Sequence, residues 1–241
     1  DNHISSLIKY IINLNMVEVV VLLCSKDPMN FFSIVADYSN LDFLKKFIPL
    51  YNGKYYQIKS IIKMIQKALD SKNSDSISKG IEVIDLLIKS KENSVFYDNL
   101  DEWKKIFQLL ENLWSSNIIT ISHKSAIIDL LTDAVQAKIV SINDLQGLLI
   151  YDISFPSILQ CSIMNLSSIF IKETNQIPLN FLKYLREIGV KREPMKYLAL
   201  IKCMIICFNI LYQMNKEETQ KLLSIIFNPF PQYFLEQIHV I

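Results

Sequence analysis

The chain has 241 residues, of which 51% are hydrophobic, and its formal net charge at pH 7 is +1. Only four glycines and seven prolines occur, which disfavours the all-β and doubly wound α/β classes because both need many tight turns. The near-neutral charge, with 23 lysines against two arginines, argues against a protein defined by nucleic-acid binding, in which arginine reads phosphate and guanine.

The first fifty residues are predicted to form short helices. Asp27-Pro28 and Asn40 are helix starts, since proline fits the first helical position and asparagine caps free N–H groups. The run Val17–Leu23 has a strand-like composition, but no partner strand is in view, so a buried helix is preferred. The predicted segments are His3–Asn13, Val17–Leu23, Asp27–Tyr38 and Asn40–Asn52.

The helix predicted from Lys54 to Asp70 has the clearest amphipathic pattern. Its apolar residues recur at three- and four-residue spacing, which places them on one helix face. They are Ile58, Ile61, Ile62, Ile65 and Leu69. The following segment, SKNSDS at 71–76, has the composition of a loop and is the weakest internal boundary in a chain that we interpret as one domain over residues 1–241.

The rest of the chain also reads as helices. Asn99 with Glu102 forms a capping-box pattern, and Ser122 and Ser141 are predicted caps. The predicted segments are 77–89, 99–114, 122–138, 141–152, 153–172, 178–189, 193–213 and 216–227, with a short last helix from 232. About thirteen helices result, and no strand is predicted. The fold class is therefore all-α.

The segment Glu193–Gln213 is apolar around most of its circumference, so we expect it to be buried on several sides. Its polar stripe consists of Lys202, Asn209 and Gln213. This segment and the uncharged segment 153–171 approach the length of a membrane span. Both carry more polar residues than spanning helices tolerate, so both are interpreted as core helices.

Three helix starts resemble one another: NLDFLKKFI at 40–48, NLDEWKKIF at 99–107 and PLNFLKYLR at 178–186. The helices pair over about 35–40 residues, as 40–70, 77–115, 122–152, 154–188 and 193–227, which is the period of stacked helical hairpins. In this general architecture the chain resembles the armadillo/HEAT repeat superfamily. The resemblance implies an α-solenoid of 12–14 helices. The alternative is an irregular all-α bundle that reuses the same capping chemistry.

Between Asp42 and Asp70 the sequence has no acidic residue and six lysines. One interpretation is a face for an acidic partner, among which a protein segment is favoured over anionic lipid or nucleic-acid phosphate. The preferred interpretation is a solvated lysine face without a partner. The candidate residues are Lys45, Lys46, Lys54, Tyr56, Lys59, Lys63 and Lys67.

A second candidate is a peptide groove of the kind that armadillo proteins build from tryptophan and asparagine. The residues are Trp103, Asn112, Trp114 and Asn117. Trp103 and Trp114 also fit an ordinary core stripe with Phe107 and Leu110, and core packing is the preferred interpretation.

No catalytic, cofactor or metal site is predicted. The three histidines are isolated, and no nucleophile elbow, phosphate loop or paired-cysteine motif occurs. The cysteines Cys24, Cys161, Cys203 and Cys207 lie in apolar helical contexts, as buried thiols of intracellular proteins do.

Since the chain begins with Asp1 rather than Met, we interpret it as a fragment of a larger protein. We therefore expect a non-enzymatic scaffold or adaptor module of an intracellular protein, cytoplasmic or nuclear, that binds another protein or an acidic peptide. The alternative function is a helical adaptor that docks on anionic membrane lipids through the face at residues 45–67.

Overall fold

The structure is a computed structural model that describes residues 2–51, 58–90 and 100–190, together with Cys203 and Ile205. Within these ranges it contains ten α-helices and one 3₁₀ helix and no strand, so the all-α prediction is confirmed. The elements are α1 (Asn2–Asn13), α2 (Val17–Lys26), α3 (Pro28–Tyr38), α4 (Leu41–Leu50), α5 (Ile58–Asp70), α6 (Ser74–Lys89), α7 (Leu100–Ser115), α8 (Ile121–Gln136), the 3₁₀ helix η1 (Ile142–Leu148), α9 (Ser157–Thr174) and α10 (Leu179–Val190).

Two helix starts follow directly from capping chemistry. The Asn40 side chain accepts a hydrogen bond from the Phe43 N–H at 2.9 Å and begins α4. Asp27 does the same for the Asn30 N–H at 3.4 Å, and Pro28 occupies the first position of α3. Both caps satisfy N–H groups that have no partner inside the helix. The predicted starts of α3 and α4 are confirmed.

Three predicted boundaries are wrong. The last half of the loop 71–76 belongs to α6, because the Asn73 side chain accepts from the Ser76 N–H at 3.0 Å and begins the helix early. Thr120, not Ser122, caps α8. Ser141 does cap the next element, but that element is a 3₁₀ helix that ends at Leu148 rather than an α-helix to Asp152.

The start of α9 is also later than predicted. Pro156 is its N-cap, with the extended ψ of 152°, so residues 153–156 lie outside the helix. Proline disfavours helical backbone in the residue before it, and that explains why a continuous apolar run does not begin as a helix at Ile153. The remainder of the uncharged segment is helical and mostly buried, as expected for a core helix, although Ile158 is exposed.

The chain divides into two compact units, Asp1–Val140 and Ser141–Ile241. The segment 71–76 joins two helices of the first unit that pack against each other, α5 and α6. The interpretation of residues 1–241 as one repeat domain stays a prediction.

In the first unit, helices two apart in the chain pack side by side. Along the odd-numbered helices α1 contacts α3, α3 contacts α5 and α5 contacts α7, and along the even-numbered helices α2, α4, α6 and α8 do the same in turn. Among sequence neighbours, α1 packs with α2, α2 with α3, α5 with α6, and α7 with α8. The pairs α5–α6 and α7–α8 are offset by one helix from the predicted pairs 40–70 and 77–115.

The core of the first unit contains a group of aromatic rings. Phe47 lies 5.8 Å from Phe32, 6.0 Å from Phe43 and 5.1 Å from Tyr51, measured between ring centroids. All four side chains are almost fully buried. These rings pack α3 against α4 and against Tyr51, the residue that follows α4. They bury a large apolar area in favourable edge and offset contacts.

The second unit has a more polar core. In α9 the side chains of Gln160, Ser162, Ser167 and Ser168 are buried. The Ser167 hydroxyl donates to the Ile163 carbonyl at 2.7 Å, and the Ser168 hydroxyl donates to the Asn165 carbonyl at 2.7 Å. Since these bonds remain inside the helix, α9 buries serines without leaving their hydroxyls unpaired.

No described helix has the length and the apolar character needed to cross a membrane. The predicted helix Glu193–Gln213, with its stripe Lys202, Asn209 and Gln213, lies outside the described residues except for Cys203 and Ile205, as do the segments after it. Cys203 is buried, and its thiol donates to the Met164 carbonyl of α9 at 3.1 Å.

Candidate functional site

The candidate site is built on α5, whose two faces differ sharply. Ile58, Ile61, Ile62, Ile65 and Leu69 are each at most 4% exposed, and they form the predicted apolar stripe. Lys59, Lys63 and Lys67 are exposed on the opposite face. Because the helix advances about 1.5 Å per residue, these three ammonium groups are distributed along about 12 Å of one helix edge. We refer to Lys59, Lys63 and Lys67 as the lysine row.

A close contact between helices holds α5 in place. A Cβ atom added to Gly80 of α6 would lie 3.4 Å from the Ala68 Cβ and 3.4 Å from a Leu69 methyl. Both distances are ordinary van der Waals contacts, so Gly80 lies directly against the apolar face of α5. The same packing fixes the outward direction of the lysine row.

The lysine row has no ion pair with any described residue. The carboxylates that lie within 4 Å of a lysine in residues 2–51, 58–90 and 100–190 pair with Lys45, Lys79, Lys89 and Lys104 instead. Like charges at four-residue spacing cost a helix a few tenths of a kcal/mol per pair. The row is thus a concentration of positive charge without an ion pair among the described residues, although the Asp37 carboxylate of α3 contacts α5 at Ser60, the residue after Lys59.

Lys45, also predicted as part of the face, has a different environment. It forms an ion pair with Glu82 of α6. Next to it, Lys79 of α6 lies 2.8 Å from Asp42 of α4 and 2.9 Å from Asp75. Hydrogen bonds to Asp42 and then to Asp75 raise the pKa of Lys79 above its ordinary value. The pairs Lys45–Glu82 and Lys79–Asp42 connect α4 to α6, and the pair Lys79–Asp75 lies within α6.

The remaining predicted residues of the face are distributed as follows. Lys46 is exposed on α4. Lys54 and Tyr56 lie outside the described residues. The described part of the predicted face is therefore one exposed row on α5, one exposed lysine on α4 and one lysine that is already paired.

The tryptophan candidates are not at a surface. Trp103 is 1% exposed and Trp114 is 4% exposed, and the Trp103 ring lies 6.2 Å from that of Phe107. Asn112 and Asn117 are exposed, so the four residues do not line a common groove. Their burial favours the core-packing interpretation of both tryptophans. Lys124 lies over the Trp114 ring at 5.5 Å and covers it from outside.

The described cysteines and histidines form no reactive constellation. Burial raises the pKa of the Cys24 thiol to about 12, so it stays protonated and unreactive at neutral pH. The Thr120 hydroxyl lies 2.6 Å from Nδ1 of His123 at the start of α8. No group of three or more metal-ligating side chains occurs within the described ranges. Cys207 and His239 lie outside them.

The second unit contains a groove that sequence reasoning did not find. It has a volume of about 390 Å³ and is lined by residues 149–151 and by one face of α10, including Asn180, Lys183 and Glu187. At its base the Tyr151 ring lies 5.1 Å from Phe181 and 5.4 Å from Tyr184. The polar residues are spaced as on any exposed helix face, so the sequence carried no signal for them.

Comparison of the chain with models of protein families, with curated proteins and with solved structures found no match.

Proposed function

We propose that the protein is a non-enzymatic interaction scaffold inside the cell, and that its lysine row binds an acidic segment of a partner protein. The mechanism is presentation: the packed helices hold Lys59, Lys63 and Lys67 in a fixed row on one edge of α5. An extended acidic segment that follows this edge gains several ion pairs, and the helix itself does not have to reorganise.

The scaffold part of the proposal is supported by the packing of the first unit. Helices two apart in the chain contact one another along both the odd and the even series from α1 to α8. A stack of helical hairpins produces this pattern, because each hairpin packs on the hairpin before it. We propose on this basis that the first unit is an α-solenoid of the armadillo/HEAT kind. The scaffold role follows from such a stack, which offers a rigid extended surface.

The partner part of the proposal is supported by the state of the lysines. Lys59, Lys63 and Lys67 are exposed and have no described carboxylate within 4 Å, whereas the lysines of the α4–α6 contact are paired. Each exposed ion pair contributes about 0.2–1 kcal/mol. Three pairs in one row would therefore contribute about 0.6–3 kcal/mol, a salt-sensitive part of the affinity for an acidic segment.

An acidic protein segment fits the row better than a lipid surface does. Helices that lie on membranes insert large apolar side chains beside their basic residues. No large apolar side chain of α5 between Ile58 and Asp70 is exposed. The net charge of +1 also makes the row a local feature of the surface, and nucleic-acid binders usually carry a much larger basic excess.

The test measures binding of a fluorescent glutamate-rich peptide to the protein at low ionic strength. Replacing Lys59, Lys63 and Lys67 together by Glu should weaken binding by at least about tenfold, because three attractions become repulsions. The matched control replaces Lys26, Lys105 and Lys172 by Glu. These three are exposed and unpaired in the described residues, and the charge change is identical.

If both triple variants lose the same affinity, only net charge matters and the lysine row is not the site. Flotation with vesicles that contain anionic lipid, and with neutral vesicles, examines the lipid alternative. Binding to anionic vesicles that depends on the row, together with no peptide binding, would overturn the proposed partner and favour a membrane adaptor.

A further inference from the structure

The Asp37 carboxylate of α3 lies at one end of the lysine row. The Ser60 hydroxyl of α5 donates a hydrogen bond to Oδ1 of Asp37 at 3.4 Å. Ser60 directly follows Lys59, and it precedes Lys67 by seven residues, or about 10 Å of helix rise. Asp37 is exposed, and no lysine of the described residues lies within 4 Å of its carboxylate. The Lys59 end of the row therefore carries a negative charge that remains available to a partner.

The charge of Asp37 does not stabilise the helix that carries it. The residue belongs to the last turn of α3, which contains no basic residue. A negative charge is disfavoured there, because the helix dipole places partial negative charge at the C-terminal end. The hydrogen bond from Ser60 needs only an acceptor oxygen, which the amide of an asparagine would also supply. The contact between α3 and α5 therefore does not require the negative charge of Asp37.

The opposite end of the lysine row has no comparable excess of negative charge. Asp70 is the last residue of α5, and Lys72 follows it two residues later. Both side chains are exposed, so their charges offset each other near Lys67. At an ionic strength of about 0.1 M the Debye length is about 10 Å, which is close to the distance between the two ends of the row. Asp37 therefore acts mainly on charged groups that lie at the Lys59 end.

We propose that Asp37 gives the lysine row a direction and, on the basis of the function proposed above, that the partner segment is bipolar. Its glutamate or aspartate residues lie over Lys63 and Lys67, and a lysine or arginine lies beside Asp37. Such a segment forms ion pairs at both ends of the row. A uniformly acidic segment of the same length places a carboxylate next to Asp37 and is repelled there. Asp37 is thus a specificity-determining residue, because it disfavours the uniformly acidic competitor.

The test compares the Kd values of two fluorescent peptides at an ionic strength of about 0.1 M. The bipolar peptide is Glu-Glu-Glu-Gly-Lys-Lys, and the acidic peptide is Glu-Glu-Glu-Gly-Gln-Gln. The wild type should bind the bipolar peptide at least as tightly as the acidic one, although the bipolar peptide has the smaller net charge. Asp37→Asn should weaken binding of the bipolar peptide relative to the acidic peptide by roughly two- to fivefold, the size expected for one exposed ion pair.

Two control variants separate the position of the charge from its amount. Glu18→Gln also removes one exposed carboxylate, but from α2, which packs against α1, α3 and α4. It should leave the ratio of the two Kd values as in the wild type. Asp37→Glu keeps the negative charge and should also keep the wild-type ratio. The circular dichroism spectrum of Asp37→Asn should match that of the wild type, since the acceptor for Ser60 is retained.

A zero-length cross-link tests the predicted direction. A carbodiimide joins a carboxylate to an amine that lies against it, so the lysines of the bipolar peptide should couple to Asp37 and its glutamates to Lys67. Mass spectrometry identifies the coupled residues. Coupling of the peptide lysines to Asp70 instead would overturn the direction. A ratio of Kd values that is the same in the wild type and in Asp37→Asn would overturn it as well.

The triple lysine variant distinguishes a failure of this inference from a failure of the proposed function. If replacing Lys59, Lys63 and Lys67 by Glu leaves binding of the acidic peptide unchanged, the lysine row is not a binding site and both proposals fail. If that variant weakens binding and Asp37→Asn does not change the ratio of Kd values, the row binds acidic segments without a direction. Only the role of Asp37 is then wrong.

Discussion

Lys79 of α6 and Lys63 of α5 lie on two adjacent helices of the same unit, and their surroundings are opposite. Lys79 lies within 3 Å of two carboxylates, Asp42 at 2.8 Å and Asp75 at 2.9 Å. Lys63 is exposed between two further lysines, Lys59 and Lys67, and no described carboxylate lies within 4 Å of its ammonium. The lysine charges at the α4–α6 contact are thus neutralised by carboxylates within the folded protein. The lysine charges on the outer edge of α5 have no such ion pairs among the described residues.

The difference shows that a run of lysines in a sequence is not one surface. Lys45 belongs to the same acid-free stretch as the lysine row, but Glu82 of α6 pairs with it. Its charge stabilises the contact between helices. The charge of the lysine row has no such role in the described residues, and this is why we assign the row, and not the whole stretch, to a partner.

The largest change in stability is expected from a substitution on the buried face of α5. Ile65 is 0% exposed, and Ile65→Ala should lower the free energy of unfolding by about 2–5 kcal/mol, because the substitution leaves a cavity between packed helices. Lys63→Ala, on the opposite face, should change it by less than about 0.5 kcal/mol. Urea unfolding followed by circular dichroism measures both. Equal losses would mean that the two faces of α5 are not distinct.

Substitution of a paired lysine and of a lysine in the row should change the stability by smaller amounts and in opposite directions. Lys79→Met should destabilise the protein slightly, since it leaves Asp42 without its partner across the α4–α6 contact. Lys63→Gln should stabilise it by about 0.2–0.5 kcal/mol, because it removes repulsion from lysines four residues away on each side. Thermal unfolding at low ionic strength compares the two variants. The difference in stability between the two variants should shrink when salt is added. A Lys63→Gln variant that is less stable than the wild type would contradict the predicted repulsion within the lysine row.

The smallest effect is a difference in pH dependence. The pKa of Lys79 is raised above its ordinary value of 10.5, first by the hydrogen bond to Asp42. The folded state therefore holds this proton more tightly than the unfolded state does. The stabilisation is complete below pH 10.5 and is lost as the pH rises above that value. The stability gap between wild type and Lys79→Met should close at strongly alkaline pH, and a gap that widens there would contradict the pairing.

Local chemistry made much of the fold predictable. Asn40 and Asp27-Pro28 fixed the starts of α4 and α3, because a cap acts within three residues of itself. The isoleucine spacing identified the buried face of α5 for the same reason. The errors occurred where two signals competed, as at 71–76, where a loop-like composition concealed the cap Asn73.

The candidate site was only half predictable. The sequence placed Lys59, Lys63 and Lys67 on one polar face, since four-residue spacing alone determines that. It could not show that Lys45 is paired. Glu82 is 37 residues away in the chain, and so is Lys79 from Asp42, and only the packing of α4 on α6 brings these groups together.

The most direct test of the central claim compares Lys63→Gln with Lys79→Met in binding of the glutamate-rich peptide at low ionic strength. Both variants lose one positive charge, and they differ in whether the fold already neutralises it. Lys63→Gln should raise Kd by roughly two- to fivefold, as expected for one exposed ion pair, and Lys79→Met should leave Kd within experimental error. Equal increases in Kd, or a larger increase for Lys79→Met, would contradict the assignment of binding to the lysine row.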